Sequence, residues 1–191
     1  AASLAVLGLA QWLSSSPVGP AFEWGHVAVT GLWGVAAVAV LAVGHRLGRS
    51  DLRAAGLVWL GAVLLETVYF GGAELDGSQR GYALLTGAAA LLVGALVDRL
   101  SMRDAVGLVC AGSGAVASIA LAVAGLFELV DAAQTESFAL LGLAGLYGVL
   151  AALLFSRDRD LSLFLWAPAL VVSGYATWQL LDGTWLVLAW S

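Results

Sequence analysis

The sequence predicts an all-α fold, a polytopic transmembrane helical bundle of about seven to eight helices. Hydrophobic residues make up 61% of the chain and charged residues only 11%, against about half and about a quarter in soluble proteins. The apolar residues fall in long runs, and a hydrocarbon core about 30 Å thick needs roughly 20 of them for each crossing. Arginines recur in every second loop between these runs. A multi-pass membrane protein accounts for all three observations.

Six apolar runs are long enough to span a membrane, and two shorter runs lie at the ends of the chain. The complete spans are 24–46, 52–71, 81–97, 104–127, 137–155 and 161–181, and the shorter runs are 1–14 and 184–191. We expect both end runs to continue into flanking helices, so that the chain is a fragment of something longer. A signal-peptide core is the alternative for 1–14, but that run lacks a basic leader, and Gln11 and Trp12 interrupt it.

The distribution of arginine predicts the orientation of the bundle. Seven of the eight arginines lie in the loops after the second, fourth and sixth helices, and Arg80 alone lies on the opposite side. Short cytoplasmic loops carry an excess of basic residues. We therefore expect a multi-pass protein of the plasma or inner membrane whose arginine-rich loops are cytoplasmic. These arginines are Arg46, Arg49, Arg53, Arg99, Arg103, Arg157 and Arg159.

An arginine followed closely by an aspartate opens three of the apolar runs. The aspartates of these pairs are Asp51, Asp104 and Asp160, at spacings of 53 and 56 residues. That length holds one helix out and one helix back, which predicts parallel helical-hairpin repeats with units 1–48, 49–102, 103–158 and 159–191 in a single domain. Each aspartate is expected to be the N-cap of its helix, where a carboxylate accepts from free backbone N–H groups.

Small residues predict how the helices pack, since helix association in lipid depends on close approach and on interhelical hydrogen bonds. Pro168 lies inside the seventh helix, where the loss of a backbone donor predicts a kink. The glycines expected at helix contacts are Gly107 and Gly114 on the fifth helix and Gly142, Gly145 and Gly148 on the sixth.

The arginine–aspartate starts and one turn of the chain carry a resemblance to a protein class. The turn runs Leu181-Asp182-Gly183-Thr184-Trp185-Leu186 and is followed by Ala189-Trp190. With these features the chain resembles a broad class of large, uncharacterised bacterial and archaeal multi-pass membrane proteins, of the domain-of-unknown-function kind, built from tandem Ala/Leu-rich helical hairpins. The resemblance implies a helical membrane fold and brings no catalytic residues with it.

Glu66 is the carboxylate placed well inside an apolar helix, and it is the strongest candidate for a functional group. Intramembrane acids are costly and favour a proton or cation site facing the bundle interior. His26, Thr30 and Gln179 lie in the same half of their helices and are expected to line an outward-facing polar cavity with Glu66. The alternative is that these side chains are ordinary polar residues close to helix ends.

The sequence predicts no catalytic residues, no metal site and no cofactor. Residues 111–115 resemble the serine motif of the rhomboid intramembrane proteases, but both histidines precede Ser113, and the motif needs a base on a later helix. We therefore expect Ser113 to bond a carbonyl of its own helix. A net charge of −5 argues against binding of nucleic acid or of an anionic-lipid surface.

These observations favour a non-catalytic, membrane-embedded scaffold of a larger envelope protein. The expected partners are membrane lipid and further helices or domains of the same longer chain, and an oligomer is compatible with them. The alternative is a transporter or lipid-handling protein with an outward-facing cavity near Glu66. A cavity of that kind requires the candidate polar side chains to lie close together.

Overall fold

The computed structural model describes residues 2–14, 19–101 and 104–181, and every regular element in these ranges is helical. The elements are α1 (Ala2–Ser14), α2 (Pro20–Leu47), α3 (Ser50–Glu66) with a π-helical turn (Thr67–Gly71), α4 (Gly77–Ser101), α5 (Ala105–Leu129), α6 (Ala133–Phe155) and α7 (Arg159–Leu180). Six of them, with α3 and its π-helical turn as one span, are long and apolar enough to cross a membrane. The predicted all-α helical bundle is therefore confirmed. The predicted run 184–191 lies outside the described residues.

Helix α4 lies at the centre of the bundle, packed along α5 and against α2 and α3. The most extensive contacts between consecutive helices are α2 with α3, α4 with α5, and α6 with α7. The helix ends that follow one another in these three pairs form one end of the bundle, here called the arginine-rich end, and the other end is called the acidic end. These helix ends are Leu47 and Ser50, Ser101 and Ala105, and Phe155 and Arg159. The predicted unit boundaries fall inside these closely packed pairs, and the division into repeat units stays a prediction.

Glycines bring the helix backbones into contact within these pairs. A Cβ added to Gly56 of α3 lies 2.8 Å from the backbone nitrogen of Leu41 in α2. A Cβ on Gly81 of α4 lies 2.9 Å from the carbonyl oxygen of Gly125 in α5. Only glycine allows so close an approach, and small residues at such contacts are how membrane helices associate without a hydrophobic driving force.

The glycines predicted from the sequence have mixed surroundings. Gly107 is buried, and an added Cβ on Gly114 lies 3.4 Å from the side chain of Ala95. Gly148 comes near only the ring of Trp166. A Cβ added to Gly142 or to Gly145 meets no atom of the described residues within 4 Å. Their part in packing stays a prediction, as does the kink at Pro168, through which α7 continues.

The predicted N-caps are right for one helix and wrong for two. Asp104 caps α5 by accepting a hydrogen bond from the backbone N–H of Gly107 at 2.7 Å. Helices α3 and α7 begin before the expected aspartates, so that Asp51 and Asp160 fall in the first turn. The N-cap residue is Arg49 in α3 and Asp158 in α7. A carboxylate in the first turn still interacts favourably with the positive end of the helix.

The outward faces of the helices are strongly apolar. Val35, Val58, Leu65 and Val171 each expose more than seven-tenths of their surface. Such side chains would be costly in water and are at no disadvantage in a hydrocarbon solvent. The fold is therefore that of a multi-pass membrane protein, with a polar end on each side of an apolar belt.

Candidate functional site

Glu66 ends α3 at the point where the π-helical turn begins, and its carboxylate has a partner on α2. Oγ1 of Thr30 donates to Oε2 of Glu66 at 2.6 Å, and Thr30 is 1% exposed. The same hydroxyl lies 3.2 Å from the carbonyl oxygen of His26, a longer and weaker contact. The carboxylate therefore joins α2 to α3 through a buried hydroxyl.

His26 lies one turn before Thr30 and is enclosed by aromatic rings. Its imidazole stacks on the ring of Phe70, with centroids 5.0 Å apart and planes 12° from parallel. The ring of Phe22 meets it edge to face at the same centroid distance of 5.0 Å. The structure thus places His26 beside the Glu66–Thr30 pair, in contact with aromatic rings.

Gln179 lies apart from this group, in the helix pair α6–α7. Its Oε1 accepts from Oγ of Ser137 at 2.7 Å, and its Nε2 donates to the hydroxyl of Tyr175 at 2.8 Å. Of the four residues predicted to line one cavity, the structure brings together Glu66, Thr30 and His26. Gln179 instead links its own helix to α6.

The arginine-rich end contains a buried carboxylate that was not predicted from the sequence. Asp98 of α4 is 1% exposed and receives both a 2.7 Å bond from Nε and a 3.1 Å bond from Nη2 of Arg53 on α3. Nε2 of His45 on α2 lies 3.3 Å from the same carboxylate. The bidentate geometry is the strong form of an arginine–carboxylate pair and joins α3 to α4, while His45 brings α2 against the same carboxylate.

A second buried pair joins α4 to the turn before α7. Nε of Arg99 lies 2.5 Å from Oδ2 of Asp158, and both side chains are less than a tenth exposed. Arg99 also donates to the carbonyl oxygen of Asp104 at 2.9 Å, and Asp158 accepts from the backbone N–H of Leu161 at 3.0 Å. Asp98 and Arg99 are neighbours in sequence, so the end of α4 is bonded to α3 on one side and to the turn before α7 on the other.

One signal in the sequence points to these pairs. Asp98 and Arg99 are adjacent charges of opposite sign at the end of an apolar run. The positive-inside rule places Arg53 and Asp158 on the same side of the membrane as both of them. Charges at one depth on neighbouring helices tend to pair because an unpaired buried charge is costly. The choice of partners still depends on which helices are neighbours.

Buried hydroxyls connect the helices in the middle of the bundle. Ser118 of α5 donates to the carbonyl oxygen of Ala88 in α4 at 2.7 Å. Its Oγ lies 2.5 Å from the hydroxyl of Tyr147 in α6, and since the serine proton is already used, Tyr147 donates in that bond. Ser113, as expected, bonds carbonyls of its own helix, at Val109 and Cys110.

Comparison with protein-family models, with curated proteins and with solved structures finds no match for this chain. The class of the protein therefore follows from its own helices. Six apolar helices of membrane-spanning length, held together by buried polar pairs, define a multi-pass, all-α membrane protein.

Proposed function

We propose that the chain is a non-catalytic scaffold embedded in the plasma or inner membrane, part of a larger envelope protein, with its arginine-rich end in the cytoplasm. The observation that carries the proposal is that buried and half-buried polar side chains from different parts of the bundle are bonded to one another. The pairs are Thr30 with Glu66, Ser118 with Tyr147, Arg53 with Asp98, and Arg99 with Asp158. These bonds fix the helices relative to one another.

Fixed pairing suits a scaffold better than a transport path. A charged or polar group in a transport path exchanges partners with a solute or with water, whereas breaking a buried ion pair leaves an uncompensated charge. Each pair here joins one helix to another helix or to the turn at the start of another helix, so opening a pair disturbs the packing between them. The outward apolar faces offer room for lipid and for further helices of a longer chain, and an oligomer is compatible with them.

The orientation in this proposal is testable by cysteine labelling. In a Cys110→Ala background, we expect a cysteine in place of Ser78, at the acidic end, to react with a membrane-impermeant maleimide on intact cells. A cysteine in place of Ser156, at the arginine-rich end, is expected to react only after the cells are opened. Both serines are exposed, so access to either is limited by the membrane alone. The reverse pattern would show the opposite orientation.

Ser50 provides the internal control for topology. It is the first residue of α3, directly after the turn from α2, and Ser156 lies in the turn between α6 and α7. A cysteine at either position is expected to give the same labelling because six crossings in alternate directions bring both turns to one side. Labelling of the two turns from opposite sides would contradict the proposed topology.

A transporter or lipid-handling protein that uses Glu66 is the alternative, and the intramembrane position of this acid is the observation that favours it. Two substitutions test the bond between Glu66 and Thr30. Glu66→Gln keeps an oxygen that accepts from Thr30, and Glu66→Ala removes it. For a scaffold we expect Glu66→Ala to lower the free energy of unfolding by about 0.5–1.5 kcal/mol and Glu66→Gln to leave it near the wild-type value. Unfolding in detergent, followed by circular dichroism, measures both.

Proton movement provides the second measurement for Glu66. In vesicles that contain the protein and a pH-sensitive dye, a scaffold leaves the decay of an imposed pH gradient as it is in protein-free vesicles, for the wild type and for Glu66→Gln alike. A proton-coupled transporter speeds the decay, and Glu66→Gln abolishes the effect. That second result would replace the scaffold proposal with the alternative.

A further inference from the structure

A basic notch lies at the arginine-rich end, between the last turn of α2 and the first turn of α3. Its volume is about 380 Å³. Three arginines and a histidine line it, and no carboxylate does so among the described residues. The lining residues are Gly44, His45, Arg46, Gly48, Arg49, Ser50 and Arg53.

The two nearest aspartates leave part of this positive charge available. Asp98 takes Arg53 as its partner and lines a separate groove between α3, α4 and α5. Asp51 binds Arg49 in an exposed pair, and this hydrogen bond raises the pKa of the Arg49 guanidinium, which stays charged. Arg46 forms no hydrogen bond or ion pair with any residue that the structure describes. The notch therefore contains the guanidinium of Arg46, which is bonded to no described residue, and that of Arg49, whose ion pair is exposed to solvent.

The backbone adds to the positive character of the notch. Gly48 has a left-handed conformation, with φ at 63°, and this lets the chain reverse directly from α2 into α3. Helix α3 then begins at Ser50 beside the arginines, and its N-cap residue Arg49 makes no side-chain cap. The start of a helix carries a partial positive charge that favours anions.

The depth of the notch selects the kind of anion. It lies where two membrane-spanning segments, Pro20–Leu47 and Ser50–Gly71, meet their connecting turn. Val43 and Leu47 are exposed on α2, one turn apart, and Val58 is exposed on α3. Val43 and Val58 lie further along their helices toward the membrane interior than the guanidinium groups, and Leu47 lies level with them. Basic pockets between membrane helices on the cytoplasmic side are sites where lipid head groups bind.

We propose that this notch binds the phosphate of an anionic phospholipid, with Arg46 and Arg49 contacting the phosphate oxygens. The acyl chains then lie along the exposed apolar side chains beneath the notch. The net charge of −5 argues against such a site. A sum over the whole chain, however, gives no information on where the charges lie. Most acidic groups are elsewhere or already paired with arginine.

Lipid binding by the full chain in neutral detergent tests the proposal. Native mass spectrometry with dioctanoyl phosphatidylglycerol is expected to show one saturable bound lipid, and dioctanoyl phosphatidylcholine is expected to bind at least tenfold more weakly. The double substitution Arg46→Gln/Arg49→Gln is expected to weaken phosphatidylglycerol binding about 30-fold, since each arginine near an anionic headgroup contributes about 1 kcal/mol separately. Arg53 is left in place because Asp98 needs it.

The matched control is Arg157→Gln/Arg159→Gln, which removes the same charge from exposed residues at the same end of the bundle. We expect it to change the affinity less than twofold. An equal loss in both double variants would show general charge attraction and overturn the notch. Displacement of the lipid by millimolar inorganic phosphate would show a free-anion site and overturn the lipid assignment. If the double variant unfolds, the single variant Arg46→Gln tests the same site, because Arg46 is bonded to no residue that the structure describes. We expect it too to weaken phosphatidylglycerol binding.

Discussion

We expect Asp98→Ala to destabilise the bundle by about 3–5 kcal/mol, the largest effect of any single charge removal described here. The substitution removes the carboxylate that is bonded to the partly buried Arg53, and the same carboxylate lies 3.3 Å from Nε2 of His45. Three helices lose their common connection at the arginine-rich end. Unfolding in detergent, followed by circular dichroism and by tryptophan fluorescence, measures the loss of free energy.

Two variants show whether the pair itself is responsible. Asp160→Ala removes a carboxylate that is exposed in the first turn of α7, and we expect it to cost no more than about 0.5 kcal/mol. The double variant Arg53→Met/Asp98→Leu removes both charges and is expected to recover much of the stability lost in Asp98→Ala. If Asp98→Ala is no more destabilising than Asp160→Ala, the buried pair does not hold the helices together.

The second large effect is expected from a single methyl group at the contact of α2 and α3. A Cβ at position 56 lies 2.8 Å from the nitrogen and 2.9 Å from the Cα of Leu41. Because backbone atoms cannot rotate away as a side chain does, Gly56→Ala forces the two helices apart. We expect it to lower the free energy of unfolding by about 1–3 kcal/mol, in the range measured for overpacked cores.

Gly61→Ala is the control on the same helix. An added Cβ there meets no atom within 4 Å, and alanine is the better helix former by about 1 kcal/mol. We therefore expect Gly61→Ala to be neutral or stabilising in the same unfolding measurement. Similar losses for both variants would mean that the close approach of α2 and α3 does not set the stability.

The helices themselves could be predicted because each is marked by an apolar run of membrane-spanning length. The observed helices extend two to four residues beyond several of these runs, as at Pro20, Gly77 and Ala133. Backbone hydrogen bonding continues beyond the apolar run, so the end of the run does not mark the end of the helix. The same extension explains why Asp51 and Asp160 were wrongly predicted as N-caps.

Contacts between helices were harder to predict, since they depend on which faces meet. Gly142 and Gly145 follow the same small-residue pattern as Gly114, yet they face open space. Gly56 stands in no such pattern and makes one of the closest backbone contacts in the bundle. A small residue allows another helix to come close, but it does not determine which helix packs against it.

The candidate polar site was predicted in part. Glu66 and Thr30 were selected for their depth in the membrane, and they meet because they lie at one depth on adjacent helices. Gln179 was selected by the same criterion and lies elsewhere, because depth carries no information about position around the bundle axis. Asp98 was missed because an acid close to the end of an apolar run does not look unusual in the sequence.

The π-helical turn after Glu66 also sets the rotational phase of the residues that follow it. Each residue of an α-helix advances the chain by about 100° around the axis, and a π-helical turn accommodates one residue more than an α-helical turn does. Without that additional residue the ring of Phe70 would point about 100° away from His26. The length of Thr67–Gly71 thus decides which side chains face the Glu66–Thr30 pair, so a one-residue deletion there would rearrange this corner while leaving every named side chain in the protein.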